Sequence, residues 1–172
     1  TDPRSKTLQT SYFTYDYNAE NQLIRAEEFV ENTSVGVETF RYNLSGKLIS
    51  RELKKGNHIE THLYSYNDDQ LLVKEEWRDN EEGILETTSY SYKNKEKVLE
   101  HWVDFENGKS DGYIDDTFEN GNIVLTAEAE ADGTVSYPEQ CTYVLDLHGN
   151  WTRKTIHAEE KYFIVERIIE YY

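Results

Sequence analysis

Five histidines, one cysteine and three tryptophans are the side chains of this 172-residue sequence best suited to chemistry or recognition. His58, Glu60 and His62 form the one cluster with ligand-like spacing. On a strand the three share a face, roughly 6–7 Å between successive positions, and two histidines with a glutamate could hold zinc. A fourth ligand is not identifiable. The simpler expectation is a solvated strand edge, with no metal and no cofactor. Cys141 has no histidine near it in sequence and is expected to be buried and inert. No nucleophile elbow, zinc-protease motif, P-loop or dinucleotide fingerprint occurs. A non-enzyme is the expectation.

Carboxylates are plentiful, 34 Asp and Glu against 18 Lys and Arg, a formal charge of −16. With so many acids, some pair will always match the separation that cleaves a glycosidic bond. That match has no weight, and a carbohydrate-active enzyme is only the last alternative. Glu27, Glu28, Glu52, Glu75, Glu76, Glu100, Glu128 and Glu130 follow turns in successive segments. Stacked in register they would repel, and Arg25, Arg51, Lys74, Arg78 and Arg153 are placed to relieve this. The negative charge excludes nucleic acid, which needs clustered cations. It permits a basic protein partner. No apolar run is long enough for a transmembrane segment, and a single cysteine gives no internal disulfide.

The elements that must position these groups are strands. Tyr, Thr, Val, Ile, Phe and Trp favour the pleated state, and 13% aromatic content is too high for an acidic disordered tail. Self-similarity is present. Tyr17, Tyr42, Tyr66, Tyr92, Phe118 and Leu145 each end an aromatic-rich segment that leads through a polar turn to a second apolar pair. Each unit reads as strand, tight turn, strand, with Asn and Gly supplying positive φ. Looser turns at NTSVG, KKGN, DNEEG, ENGKS and ADGT join the units. The expected fold is all-β: an antiparallel meander of about twelve strands built from six β-hairpin repeats, in a twisted or curled open sheet. Residues 1–10 read as a polar linker left after removal of a signal segment or by trimming, and 11–172 as a single repeat domain.

Alternation puts Phe13, Tyr15, Tyr17, Phe40, Tyr42, Tyr64, Tyr66, Tyr90, Tyr92, Phe118, Tyr143 and Leu145 on one face, with small or polar residues between them. Trp77 and Trp102 occupy near-equivalent places in adjacent units. Tyr64, Tyr66, Trp77, Tyr90, Tyr92 and Trp102 are therefore the candidate ligand-binding residues, suited to stacking on sugar rings or gripping a protein. The simpler expectation is that the tryptophans cover the apolar face of the sheet.

The segments YDYNAENQLIRAEE, RYNLSGKLISRE and DLHGNWTRKTI with ERIIEYY resemble the YD, or RHS-type, hairpin repeats of bacterial secreted and surface proteins. The likeness spans residues 11–172. The turn Gly is missing from the first, third and fourth units. The resemblance implies a repeat architecture in an extracytoplasmic setting (periplasm, cell surface or secreted) and no activity. The leading expectation is a non-catalytic module that binds a protein or a glycan through its aromatic face. The alternative is an acidic partner that neutralises a basic protein such as a toxin.

Overall fold

The computed structural model describes residues 10–136 and 138–171. Thr10 apart, the polar stretch expected at residues 1–10 lies outside them. Thirteen antiparallel strands follow in chain order: β1 (Ser11–Tyr17), β2 (Leu23–Val30), β3 (Thr33–Tyr42), β4 (Leu48–Lys55), β5 (His58–Tyr66), β6 (Leu72–Asp79), β7 (Gly83–Lys93), β8 (Glu96–Glu106), β9 (Lys109–Glu119), β10 (Asn122–Glu130), β11 (Glu139–Leu145), β12 (Trp151–Ala158) and β13 (Lys161–Glu166). Spatial order equals sequence order, so the chain forms one open meander. The expected all-β fold is the observed one, with thirteen strands in place of about twelve. The thirteenth strand lies near the C-terminal end, where Ile164, Val165 and Glu166 are its last residues. This strand, β13, starts beyond the turn at Glu159, whose φ is +53°.

Turn chemistry places the strand ends. Asn18, Asn43, Asn67 and Asp146 open four five-residue loops of one design. The Asn43 Oδ1 accepts from the N–H groups of Ser45 (3.0 Å) and Lys47 (2.9 Å), and the Asp146 Oδ1 from those of His148 (2.8 Å) and Asn150 (3.0 Å). A side chain bonded to the backbone two residues on is the Asx-turn preference of these residue types. The hairpins at Asn94-Lys95 and Asn120-Gly121 use two residues instead, all four at positive φ, as the twist of a tight hairpin requires. The turn read at NTSVG lies earlier, at Glu31-Asn32, also both at positive φ. Val30 opposes Thr33 directly, so the β-branched Thr33 and Val35 join β3.

A bulge recurs just past the turn in six hairpins, those that join β1 to β2, β3 to β4, β5 to β6, β7 to β8, β9 to β10 and β11 to β12. Tyr17 pairs with Leu23 while Asp16 pairs with Arg25, leaving Ile24 extra. Ile49, Val73, Val98, Val124 and Thr152 are the corresponding extra residues. A tyrosine hydroxyl from the next hairpin donates to the carbonyl beside four of these bulges. Tyr42 reaches Leu23 O (2.8 Å), Tyr66 reaches Leu48 O (2.9 Å), Tyr92 reaches Leu72 O (2.7 Å) and Tyr143 reaches Ile123 O (2.6 Å). A bulge leaves the ladder locally disrupted, and the phenol supplies a partner there. Phe118 has no hydroxyl to give, and at that junction the apolar residue is replaced by Lys97, whose Nζ lies 4.0 Å from the centre of the Phe118 ring. There a cation on a ring face, and not a phenol hydrogen bond, links the neighbouring hairpins.

Among the described residues no second layer packs on the sheet. Among the described residues only Ala26, Ala129 and Cys141 are buried apolar residues, and no large side chain is fully buried. The tryptophans and most tyrosines are half-buried by their cross-strand neighbours alone. Cohesion therefore comes from the ladder and from pairs along each face. Ion pairs are part of this. Glu76, only 8% exposed, accepts from Lys74 Nζ at 2.9 Å and from Arg78 Nε. Burial alone would push the Glu76 carboxyl up; the two cations outweigh it and hold it below the usual carboxylate range. The mutual relief expected of the acid and base series is thus seen at Arg25–Glu27 (2.6 Å) and Lys74–Glu76.

Candidate functional site

Opposed residues on neighbouring strands share a face, as do residues two apart on one strand. The register traces two rows across one face. Phe40, Arg51, His62, Trp77, Glu86, Asp104, Gly112 and Glu130 stand opposite one another from β3 to β10. Tyr64, Glu75, Thr88, Trp102, Ile114 and Glu128 form the adjacent row from β5 to β10. Tyr66, Tyr90 and Tyr92 share this face by alternation along β5 and β7. The six candidate residues Tyr64, Tyr66, Trp77, Tyr90, Tyr92 and Trp102 are thus brought to one face of four consecutive strands, all half-exposed.

Their surroundings differ from residue to residue. Trp77 and Trp102 are not side by side; they lie in adjacent rows with β7 between them. Trp77 stacks on His62, ring centres 5.7 Å apart and nearly parallel, and its indole N–H is buried with no acceptor among the described residues. The hydroxyls of Tyr66 and Tyr92 are committed to main-chain carbonyls. The Tyr90 hydroxyl donates to Glu75 Oε1 at 3.0 Å, and burial together with that carboxylate pushes its ionisation far up. Three of the four tyrosines therefore hold the sheet together through their polar ends and offer only ring faces outward.

Trp102 stands beside a hollow of about 190 Å³ lined by Asp104, Asp111, Gly112, Glu128 and Glu130. Gly112 keeps it open. Its φ is +143°, and a Cβ there would lie 2.5 Å from the Ala129 carbonyl oxygen. Sequence reasoning missed this role, because Gly112 lies within β9 just past the Asn107-Gly108 turn, and the register shift opposite Asp104 and Phe105 shows only once β8 and β9 are paired. Such a glycine marks a bulge or a close backbone approach. The resulting surface is an indole next to four carboxylates, suited to stacking and to cations.

The His58, Glu60 and His62 cluster separates. His58 Nε2 is hydrogen-bonded to Glu60 Oε1 at 2.9 Å, and its Nδ1 lies 3.0 Å from Asp79 Oδ2, a buried oxygen with no hydrogen-bond partner among the described residues, while His62 is turned onto Trp77. No group of three metal-ligating side chains converges among the described residues. The hydrogen bond to Glu60 is the largest effect on His58 and raises its pKa above 6.5; burial, the next largest, opposes it, and the charges of Asp79, Glu60 and Glu81 add to the rise. Burial and the nearby Arg51 lower that of His62 below 6.5. Protonation of His58 therefore favours the fold at pH below about 6.5, an effect lost as pH rises through its folded pKa. Neutral His62 favours it above about 6.5, an effect lost as pH falls through its own. In an NMR titration the His58 ring resonances should move at higher pH than those of His62. Coincident midpoints would show that the two environments do not differ.

On the opposite face Ser89, His101 and Asp115 stand in one row, with His101 Nδ1 2.6 Å from Asp115 Oδ1. These are the residue types of a hydrolase triad, set on strands whose amides are engaged in the ladder. Acyl transfer also needs free donors aimed at the oxyanion, which a paired ladder does not offer. Both faces carry charge, Arg25, Glu52, Glu76 and Asp115 on this one and Glu28, Arg51, Glu75 and Glu128 on the other. Neither is the uncharged band, about 25 Å tall, that the lipid-facing wall of a membrane barrel presents. No helix among the described residues is long and apolar enough to cross a membrane.

No curated protein matches the chain. Among solved structures it is similar to a porin-like protein from Bacteroides uniformis ATCC 8492, at 12% identity and a TM-score of 0.45 over 91% of this chain and 87% of that one. A family model described as an uncharacterised protein matches residues 6–130, the stretch from before β1 to the end of β10, and the chain belongs to that family.

Proposed function

We propose that this protein is a non-catalytic module, working outside the cytoplasm, that holds a protein or a glycan against its aromatic face. One observation carries the reading: Tyr64, Trp77, Tyr90 and Trp102 share one face of β5–β8, half-exposed, with no second layer upon them among the described residues. Large half-wet rings are costly to leave uncovered and well suited to an interface. The likeness of the hairpins to YD-type repeats supports the extracytoplasmic setting. A second reading is favoured by the acids around Trp102 and the charge of −16: an acidic partner that captures a basic protein.

The two readings separate in one titration. Tryptophan fluorescence is followed while a panel of soluble neutral glycans, and in parallel polylysine, is added at low and high salt. A saturable change with a glycan that survives high salt, and that falls at least tenfold in affinity in Trp102→Ala, supports the first reading. Polylysine binding that weakens steeply with salt supports the second, since exposed charge attraction is screened. No change with any probe, with acrylamide quenching weak at all three tryptophans, would sink both, because the rings would then not be available to a ligand.

A further inference from the structure

We infer that β13 is a docking edge for a second copy of this chain, joined strand to strand about a two-fold axis. β13 pairs with β12 on one side and with nothing among the described residues on the other. Tyr162, Phe163, Ile164 and Val165 are 72%, 53%, 62% and 44% exposed, apolar on both faces of the strand. Natural edges are blunted by charge, proline, bulges or a covering segment. None of these interrupts the four residues. The following segment does not cover them either. Arg167 donates to the Thr152 and Trp151 carbonyls, with its guanidinium 4.0 Å from the Trp151 ring, and the Tyr171 hydroxyl binds Asp146. Arg167 and Tyr171 are thus held along the start of β12 and the loop before it.

Strand count selects the occupant. In an antiparallel meander β1 and β13 run in the same direction, because both are odd in order. Closing the sheet edge to edge would need a parallel pair, unlike the twelve antiparallel pairs present. A second copy turned about an axis perpendicular to the sheet offers its own β13 antiparallel and keeps each face continuous. That symmetry requires opposed residues to be of like parity. Centred on Phe163, the register sets Phe163 against Phe163 of the second copy, Tyr162 against Ile164, and Lys161 against Val165. Aromatic with β-branched pairs at the centre are favourable cross-strand neighbours, while Glu166 of each copy faces Glu160 of the other at the two ends, a like-charge pair that adds to the repulsion. The contact is isologous, so it closes as a dimer. Each copy carries −16, so long-range repulsion opposes the contact and salt should relieve it.

Sedimentation equilibrium over a wide concentration range, at low and at about 1 M salt, tests this on the full chain. The expected result is a monomer of 20.3 kDa giving way to twice that mass, more readily at high salt. That sign is opposite to the one expected for capture of a basic partner. Ile164→Lys should weaken the dimer at least tenfold while leaving the melting temperature of the dilute monomer unchanged. Hydrogen exchange should show the β13 amides gaining protection with concentration in the wild-type chain. A single monomer mass in both salts would overturn the inference. So would a dimer that Ile164→Lys leaves intact, or a dimer whose β13 amides stay unprotected.

Discussion

Gly112→Ala is expected to cost about 3 kcal/mol or more of stability, the upper end for one strained backbone position. For a chain of this size that lowers the melting temperature by roughly 6–12 °C. Two effects combine. The φ of +143° is a conformation that an L side chain rarely adopts, and the new Cβ would lie 2.5 Å from the Ala129 carbonyl oxygen, a backbone atom that cannot swing aside. Gly36→Ala is the control. Its Cβ would meet the Lys55 side chain at 3.2 Å, and a flexible lysine moves cheaply, so the cost should stay within about 1 kcal/mol. Urea unfolding followed by circular dichroism reads both. Equal stability of the two variants would mean that β9 and β10 do not approach at Gly112 as described. Since Gly112 also lines the hollow beside Trp102, a folded Gly112→Ala protein would test whether that hollow is used.

The second large effect is expected from removing two phenol hydroxyls together. Tyr66→Phe and Tyr92→Phe each delete one hydrogen bond to a main-chain carbonyl at a bulge, worth about 1 kcal/mol. The two bonds lie in different hairpins, at Leu48 and Leu72, so the double variant should lose about 2 kcal/mol. Rings, and with them the aromatic face, stay in place. A double variant as stable as the parent would show that water satisfies those carbonyls equally well. Phe118 is the chain's own precedent. There the hydroxyl is missing and Lys97 covers the ring instead, so Phe118→Tyr with Lys97→Leu would rebuild the bond found elsewhere.

Much of the architecture was legible because the signals are local. Alternating aromatics such as Tyr64 and Tyr66 set the strand face, and Asn43 or Asp146 announce the loop that follows. What escaped the sequence depends on pairing. The bulge at Ile24 or Ile49 is invisible until the opposing strand is in register, and so is the reach of Tyr42 to Leu23. NTSVG looked like a turn because Asn, Ser and Gly dominate it, yet the two-residue turn at Glu31-Asn32 frees Thr33 and Val35 for the sheet. The aromatic face was foreseen, and the register gathers all six named residues upon it. Its chemistry was less legible. The commitment of the Tyr66, Tyr90 and Tyr92 hydroxyls, the parting of His58 from His62 and the hollow kept open by Gly112 all arise between strands distant in sequence.

Every strand of this sheet touches only the strands before and after it in the chain. Order of synthesis and order of assembly can therefore coincide. A hairpin leaving the ribosome finds its template in the hairpin just made, and no strand must wait for a distant mate, which keeps loop-closure costs small throughout. One junction departs from this evenness. β10 and β11 share only the pairs Leu125–Gln140 and Thr126–Glu139, across a long connection that includes Pro138. Vectorial zippering would pause there, with ten strands already laid down and the last three forming as a separate flap that closes afterwards.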